Sequence, residues 1–275
     1  MITAFHLEDN TRRGIKGALN QLRRNRIRVE HLYCDAAAVR SVVYERCHGK
    51  IGWAGVERFI GGERTRLLCR EGIPLPSERG YRRFTSDELQ KRLCENAAVF
   101  LLNHSDADRV SVALMDDTGD HMSLCTYLAD LTDRLCIVTR SPQLYLGEAD
   151  RMLEEKGAVI RISKSCTPLK CADLIIAPAR IERDLGCSPD AVILSAAEPT
   201  VAQNAPVIFD YSIELPQKYR SVKPDYLDEM YFAAAMYSLA GAHELGTSIF
   251  RRCTDGKTIH TRMSLLELLK NCCNP

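Results

Sequence analysis

The chain has 275 residues, 45% of them hydrophobic, a length that spans about two domains and suffices for a sizeable core. Its 37 Lys and Arg stand against 36 Asp and Glu, so no overall field steers it toward nucleic acid or an anionic membrane surface. No apolar stretch approaches the roughly 20 residues that a membrane span needs, and Glu8 and Asp9 arrive before a signal-peptide core forms; a cytoplasmic protein with no membrane partner is expected.

The N-terminal segment is locally basic. Arg12, Arg13, Lys16, Arg23, Arg24, Arg26 and Arg28 crowd it, while Ile15, Ala18, Leu19 and Leu22 form the opposite, apolar stripe of an amphipathic helix. A solvated outer face accounts for this pattern, and nucleic acid is not expected as a partner, although the same arginines are where RNA would be contacted. Beyond the helix, Ile27 to Tyr33 and Val39 to Tyr44 are rich in β-branched and aromatic residues and predict two strands. A short helix follows from Trp53 to Ile60 and ends at Gly61-Gly62. Two prolines in Gly72-Ile-Pro-Leu-Pro76 forbid regular structure there. Thr85 and Glu88 match a capping box, and Leu89, Leu93, Ala97, Phe100 and Leu101 continue on one helical face.

From Val110 onward, strands and helices alternate. The expected strands are Val110 to Met115, Leu135 to Thr139, Ala158 to Ile162, Asp173 to Ala177, Ala191 to Ala196 and Val207 to Tyr211. Between them lie a helix with Leu124, Cys125, Leu128 and Leu131 on one face, which Asp120 is placed to cap, and a second that enters at Ser141-Pro142 and stops at Gly157. Such alternation implies right-handed crossovers and a parallel sheet, with strand order 3-2-1-4-5-6. The tail adds a long helix, Tyr226 to Leu245, an Asp255-Gly256 turn and a last helix, Ser264 to Asn271.

The fold class expected is therefore α/β, a doubly wound parallel-sheet Rossmann-like domain preceded by a smaller α+β domain. The boundaries read from the sequence are 1–105 for the α+β domain, 106–222 for the Rossmann-like domain and 223–275 for C-terminal helices that pack back on the first domain.

In such a fold, function concentrates where the first strand hands over to its helix, because backbone N–H groups and the positive helix end receive a phosphate there. Here that turn is Asp116-Asp117-Thr118-Gly119-Asp120-His121. Asp116, Asp117, Ser195 and Asp210 sit at the expected cleft, with Tyr211 beside them, and Thr118, Gly119, Arg140 and Ser141 are the candidate cofactor contacts. The two-domain layout, together with Thr139-Arg140-Ser141-Pro142 after the second strand, resembles shikimate dehydrogenase and glutamyl-tRNA reductase-type proteins. In those families an arginine at that place meets the 2′-phosphate of NADP, which is what the resemblance implies for Arg140.

The glycine fingerprint those families carry is absent, since Met115, Asp117 and Asp120, or Asp116, Thr118 and His121, stand at its three positions and leave Gly119 alone. Aspartates there add bulk and set like charge against a pyrophosphate. Asp116, Asp117, Asp120 and His121 are donors of the kind a divalent cation takes, but aspartates are equally ordinary turn residues, and no metal site is expected. The twelve cysteines lie scattered in apolar patterns without a C-x-x-C pair and are read as free thiols; Cys166 and Cys171 are too weak a pair for zinc.

The function expected is a non-catalytic scaffold or a binder of a small-molecule ligand, with no cofactor. The alternative is an NADP-dependent oxidoreductase with an atypical phosphate loop, for which Arg140 is the positive sign.

Overall fold

The computed structural model describes residues 1–10, 24–34 and 37–273. The basic amphipathic helix expected around Arg12 to Leu22 lies outside the described residues. The chain divides into two compact units, Met1–Leu89 with Leu215–Leu245 and Gln90–Glu214 with Gly246–Pro275.

The smaller unit is built on a four-stranded sheet of β1 (Ile2–Asp9), β2 (Arg26–Cys34), β3 (Ala37–Arg46) and β4 (Leu68–Cys69), in the order β2-β3-β1-β4. β2 and β3 are the two strands expected from their β-branched content and pair antiparallel. β1 was not expected, and it lies centrally, parallel to both β3 and β4, with Ile2, Ala4 and Phe5 buried. Arg28, in β2, is held among Glu8, Glu30 and Glu45 at 3.3–3.4 Å, so this part of the basic segment is neutralised within the sheet. Helix α1 (Trp53–Ile60) buries Val56 and Ile60 in a cluster with Phe5, Val42, Tyr44 and Tyr81. It stops at Gly61, whose φ of 60° suits a residue without Cβ.

The larger unit begins at Gln90, within the first turn of α2 (Glu88–Asn103). Its first turn is met by the Ser86 hydroxyl, which accepts from the Glu88 N–H at 3.3 Å, in place of the expected Thr85 cap. The helix goes with this unit, and not with the N-terminal domain as read, because its polar face is tied there. Gln90 exchanges bonds of 2.8 and 2.9 Å with the Tyr211 backbone, and Asn96 donates to the carbonyls of Gly246 and Ser248.

An eight-stranded sheet follows: β5 (Val112–Met115), β6 (Leu135–Val138), β7 (Arg161–Ser163), β8 (Leu174–Ala177), β9 (Val192–Ser195) and β10 (Val207–Ser212), then β11 (Arg252–Thr254) and β12 (Ile259–Thr261). The order β12-β11-β10-β9-β8-β5-β6-β7 contains the expected 3-2-1-4-5-6 arrangement of six parallel strands, extended by an antiparallel hairpin. Ala113, Ile175 and Ile193 belong to a cluster with Leu169, Ile181 and Leu185. Their alternates Val112, Leu114, Leu174, Ile176, Val192 and Leu194 are buried as well, so these strands are unbroken apolar runs because both faces are covered. Helices α3 (Met122–Ala129) and α4 (Gln143–Lys156) occupy the connections after β5 and β6, and Gly157 ends α4 at φ 69° as expected.

The tail separates. After α5 (Gln217–Arg220), helix α6 (Glu229–Ala240) belongs to the smaller unit, where the Tyr231 hydroxyl donates to the Phe84 carbonyl at 3.1 Å and Ser238 meets Ser86 at 2.8 Å. The hairpin β11–β12 and α7 (Arg262–Cys273) belong to the larger unit, so only the first part of the expected C-terminal segment joins the N-terminal sheet. Among the described residues no helix is long and apolar enough to cross a membrane.

Candidate functional site

A cleft of about 540 Å³ opens in the larger unit at the carboxyl ends of β5, β6 and β8. This is where ligands bind in open α/β sheets. Its walls bring together the turn after β5, Thr139 and Arg140 after β6, Lys164 after β7 and the segment from Ala179 to Arg183 after β8.

The turn is organised by Asp116, which is only 5% exposed. Its Oδ1 accepts from the backbone N–H of Thr118 at 2.9 Å, the Thr118 hydroxyl at 2.8 Å and the Gly119 N–H at 3.1 Å. Its Oδ2 accepts from the His121 N–H at 2.9 Å and from the Tyr145 hydroxyl. Gly119 sits at φ 81°, a backbone that favours a residue without Cβ, and a Cβ there would stand 3.4 Å from Leu144 Cδ1.

The N–H groups that such a turn offers to a phosphate are thus taken by a carboxylate of the chain itself. Burial alone would raise the Asp116 pKa; the Tyr145 hydroxyl, the His121 and Thr118 N–H groups and the Thr118 hydroxyl together outweigh it and hold the pKa below the ordinary value. Conversely, burial and the Asp116 carboxylate drive the Tyr145 pKa far up, so the phenol stays a donor.

The role foreseen for Asp120 is therefore corrected. The α3 N-cap is His121, whose side chain makes no cap bond, while Asp120 Oδ2 lies 2.9 Å from the Thr118 hydroxyl. Asp116 reaches the N–H groups because it leaves the strand at the base of the turn and faces inward. Asp117 points the other way. Its two oxygens take the Arg140 backbone N–H at 2.6 Å and Arg140 Nε at 2.5 Å. The arginine side chain remains 78% exposed, so this tie is a surface latch across the cleft mouth.

The remaining sequence-derived candidates separate. Asp116, Asp117, Thr118 and Arg140 line the cleft. Ser141 turns back, its N–H donating to Thr139 Oγ1 at 3.0 Å. Ser195 is fully buried, and its hydroxyl donates to the Ala197 carbonyl at 2.9 Å, holding the turn after β9. Asp210 is exposed within β10 at φ 52°, where the ladder to β11 shifts register. Neither Ser195 nor Asp210 borders the cleft.

Sequence reasoning passed over Glu95, Lys91 and Tyr145, which helices α2 and α4 deliver from 20 or more residues away, and the cations Lys164, Arg180 and Arg183. His121 Nδ1 stands 2.6 Å from Glu95 Oε1, whose partner oxygen accepts from Arg92 at 2.7 Å. Among the described residues no group of three or more His, Cys, Asp or Glu converges to hold a metal ion.

No family model matches the sequence, and no curated protein is significantly similar to it. Among solved structures the chain is similar to L-tryptophan dehydrogenase from Nostoc punctiforme, with 13% identity and a TM-score of 0.34 over 98% of this chain and 80% of that one, a likeness too distant to transfer an activity.

Proposed function

We propose that the larger unit binds a small anionic ligand in the cleft at the carboxyl ends of β5, β6 and β8, without a dinucleotide pyrophosphate in the turn. The observation that carries this reading is Asp116, whose carboxylate already satisfies the turn N–H groups of Thr118, Gly119 and His121. A phosphate entering the same place would have to displace five hydrogen bonds and stand against a charge kept ionised by them.

The rest of the cleft supports an anion. Lys164, Arg180 and Arg183 extend from the β7 and β8 connections, while Asp117 is spent on Arg140. The cavity falls in the range of about 300–1,000 Å³ usual for small-molecule sites.

The rival reading is the NADP-dependent oxidoreductase. It is favoured by Arg140, which follows β6 with a largely exposed guanidinium. Calorimetric titration with NADPH, NADH, ATP, S-adenosylmethionine and a panel of small carboxylates and phosphate monoesters separates the two. The anion reading expects the dinucleotides no tighter than about millimolar and at least one small anion tighter than that, weakened about tenfold in Arg180→Ala or Lys164→Ala. Micromolar NADPH binding by the wild type overturns it in favour of the oxidoreductase; no binding by any of these leaves a scaffold.

A further inference from the structure

One wall of the cleft carries an imidazole with a support built behind it. His121 lines the cavity, and its Nδ1 is 2.6 Å from Oε1 of Glu95. Glu95 is 9% exposed and accepts from Arg92 Nη1 at 2.7 Å through its other oxygen; Arg92 Nε in turn donates to the Gly246 carbonyl at 3.3 Å. A carboxylate at Nδ1 selects the tautomer with the proton there, which leaves Nε2 to the cleft. The residue is also fixed through its backbone, its N–H bound by Asp116 and its carbonyl accepting the Cys125 N–H at 3.0 Å.

The charged groups around this ring come from each element against it. Glu95, Arg92 and Lys91 stand on α2, Asp116 and Asp120 on the turn, and Tyr145 of α4 acts on it through Asp116. Across the cleft are Lys164, Arg180 and Glu182. Burial alone would lower the His121 pKa, but Glu95, Asp116 and Asp120 outweigh it and hold the pKa above 6.5. A cationic ring here faces a cavity in which Asp116 is spent on five donors and Asp117 on Arg140, while Asp120 and Glu182 also line it.

Resting on the anionic-ligand reading of this cleft, we propose that His121 is the pH-dependent anchor of the ligand, donating Nε2–H as an imidazolium to an oxygen of a small multiply charged oxyanion such as a phosphate monoester or dicarboxylate. Glu95 is a positioning residue that holds the ring and favours its charge. Binding is then linked to protonation: where His121 is neutral, the oxyanion meets a lone pair on Nε2 instead of a donor, and affinity falls.

Inorganic sulfate is the probe, because its charge stays constant over the range in which histidine titrates. The full chain is titrated with sulfate against chloride at matched ionic strength, followed by the ring resonances of His121 and the backbone resonances of Lys164 and Arg180. We expect affinity to drop about tenfold between about pH 6 and about pH 9, and saturating sulfate to raise the His121 ring pKa. His121→Gln should abolish the pH dependence, and Glu95→Gln should move its midpoint to lower pH while sulfate still binds at the acid end, a shift that a purely structural Glu95 would not produce.

Sulfate binding that does not vary with pH, or that varies equally in His121→Gln, overturns the anchor while signals moving at Lys164 and Arg180 keep the anionic-ligand reading. Absence of any sulfate response overturns both. Should His121→Gln fail to fold, the wild-type ring alone decides, since a ring pKa unchanged by saturating sulfate refutes the proposal.

Discussion

Removing Asp116 tests the idea that this carboxylate stands where a ligand phosphate would. Asp116→Ala deprives three backbone N–H groups, the Thr118 hydroxyl and the buried Tyr145 hydroxyl of their acceptor. A buried donor left unmade costs about 1–3 kcal/mol, but the Thr118 and Gly119 groups lie toward solvent, where water replaces the carboxylate. His121 N–H and Tyr145 are the donors whose loss is felt, so the expected destabilisation is about 3–5 kcal/mol, a fall of roughly 10 °C in the melting temperature of the larger unit.

Asp117→Gly makes the contrast. It breaks an ion pair whose arginine is 78% exposed, worth at most about 1 kcal/mol, so the melt should hardly move. It also frees Arg140 and removes a like charge from the cleft mouth, so NADPH affinity should rise about tenfold, or about 1.4 kcal/mol after discounting for solvent, with NADH gaining less. Differential scanning calorimetry and isothermal titration measure the two effects separately. An Asp116→Ala protein melting within about 2 °C of wild type would refute the account of the turn. Wild-type NADPH binding at about micromolar would refute the account of the charges.

The stability contribution of His121 depends on pH in a direction set by its raised pKa: it is complete below the unfolded value of about 6.5 and lost as pH rises through the folded value, so His121→Gln should destabilise more near pH 6 than near pH 9 in urea titrations. For Asp116 the sign reverses, its contribution being present above about pH 4 and lost as pH falls through its depressed folded pKa, so Asp116→Asn should flatten the acid limb of the thermal stability profile. Gly119→Ala, forced to φ 81° with its Cβ 3.4 Å from Leu144, should cost about 1–2 kcal/mol in chemical denaturation. The cysteines described are free, and burial pushes Cys125 and Cys253 up to about 12, so thiol counting under denaturing, nonreducing conditions should find twelve and added reductant should leave the melt unchanged; protected disulfides would refute this.

The centre of the larger sheet was legible in the sequence because β5, β8 and β9 are buried on both faces. Runs such as Val112 to Met115 and Ala191 to Leu194 are then continuously apolar, and Pro178 stops a third, Leu174 to Ala177. Helix α1 was legible for a related reason, since its amphipathic pattern and Gly61 are local signals. β1 was not, because Ile2-Thr-Ala-Phe-His-Leu-Glu-Asp9 mixes polar and apolar residues, and what makes it central is its pairing with β3 and β4. The β11–β12 hairpin showed only its Asp255-Gly256 turn; three-residue strands acquire their identity from pairing, β11 on the edge of β10 and β12 on β11.

The site divides in the same way. The sequence by itself determined that an acidic turn with a single glycine follows the first strand and that Arg140 follows the second. Which aspartate turns inward, that Tyr145 and Glu95 close on the turn from helices far along the chain, and that Asp117 holds Arg140 were decided only by tertiary structure. Residue types and their spacing along a strand or helix are local quantities. The partner of a carboxylate is whatever group the crossovers bring within about 3 Å of it, and no spacing in the sequence encodes that distance.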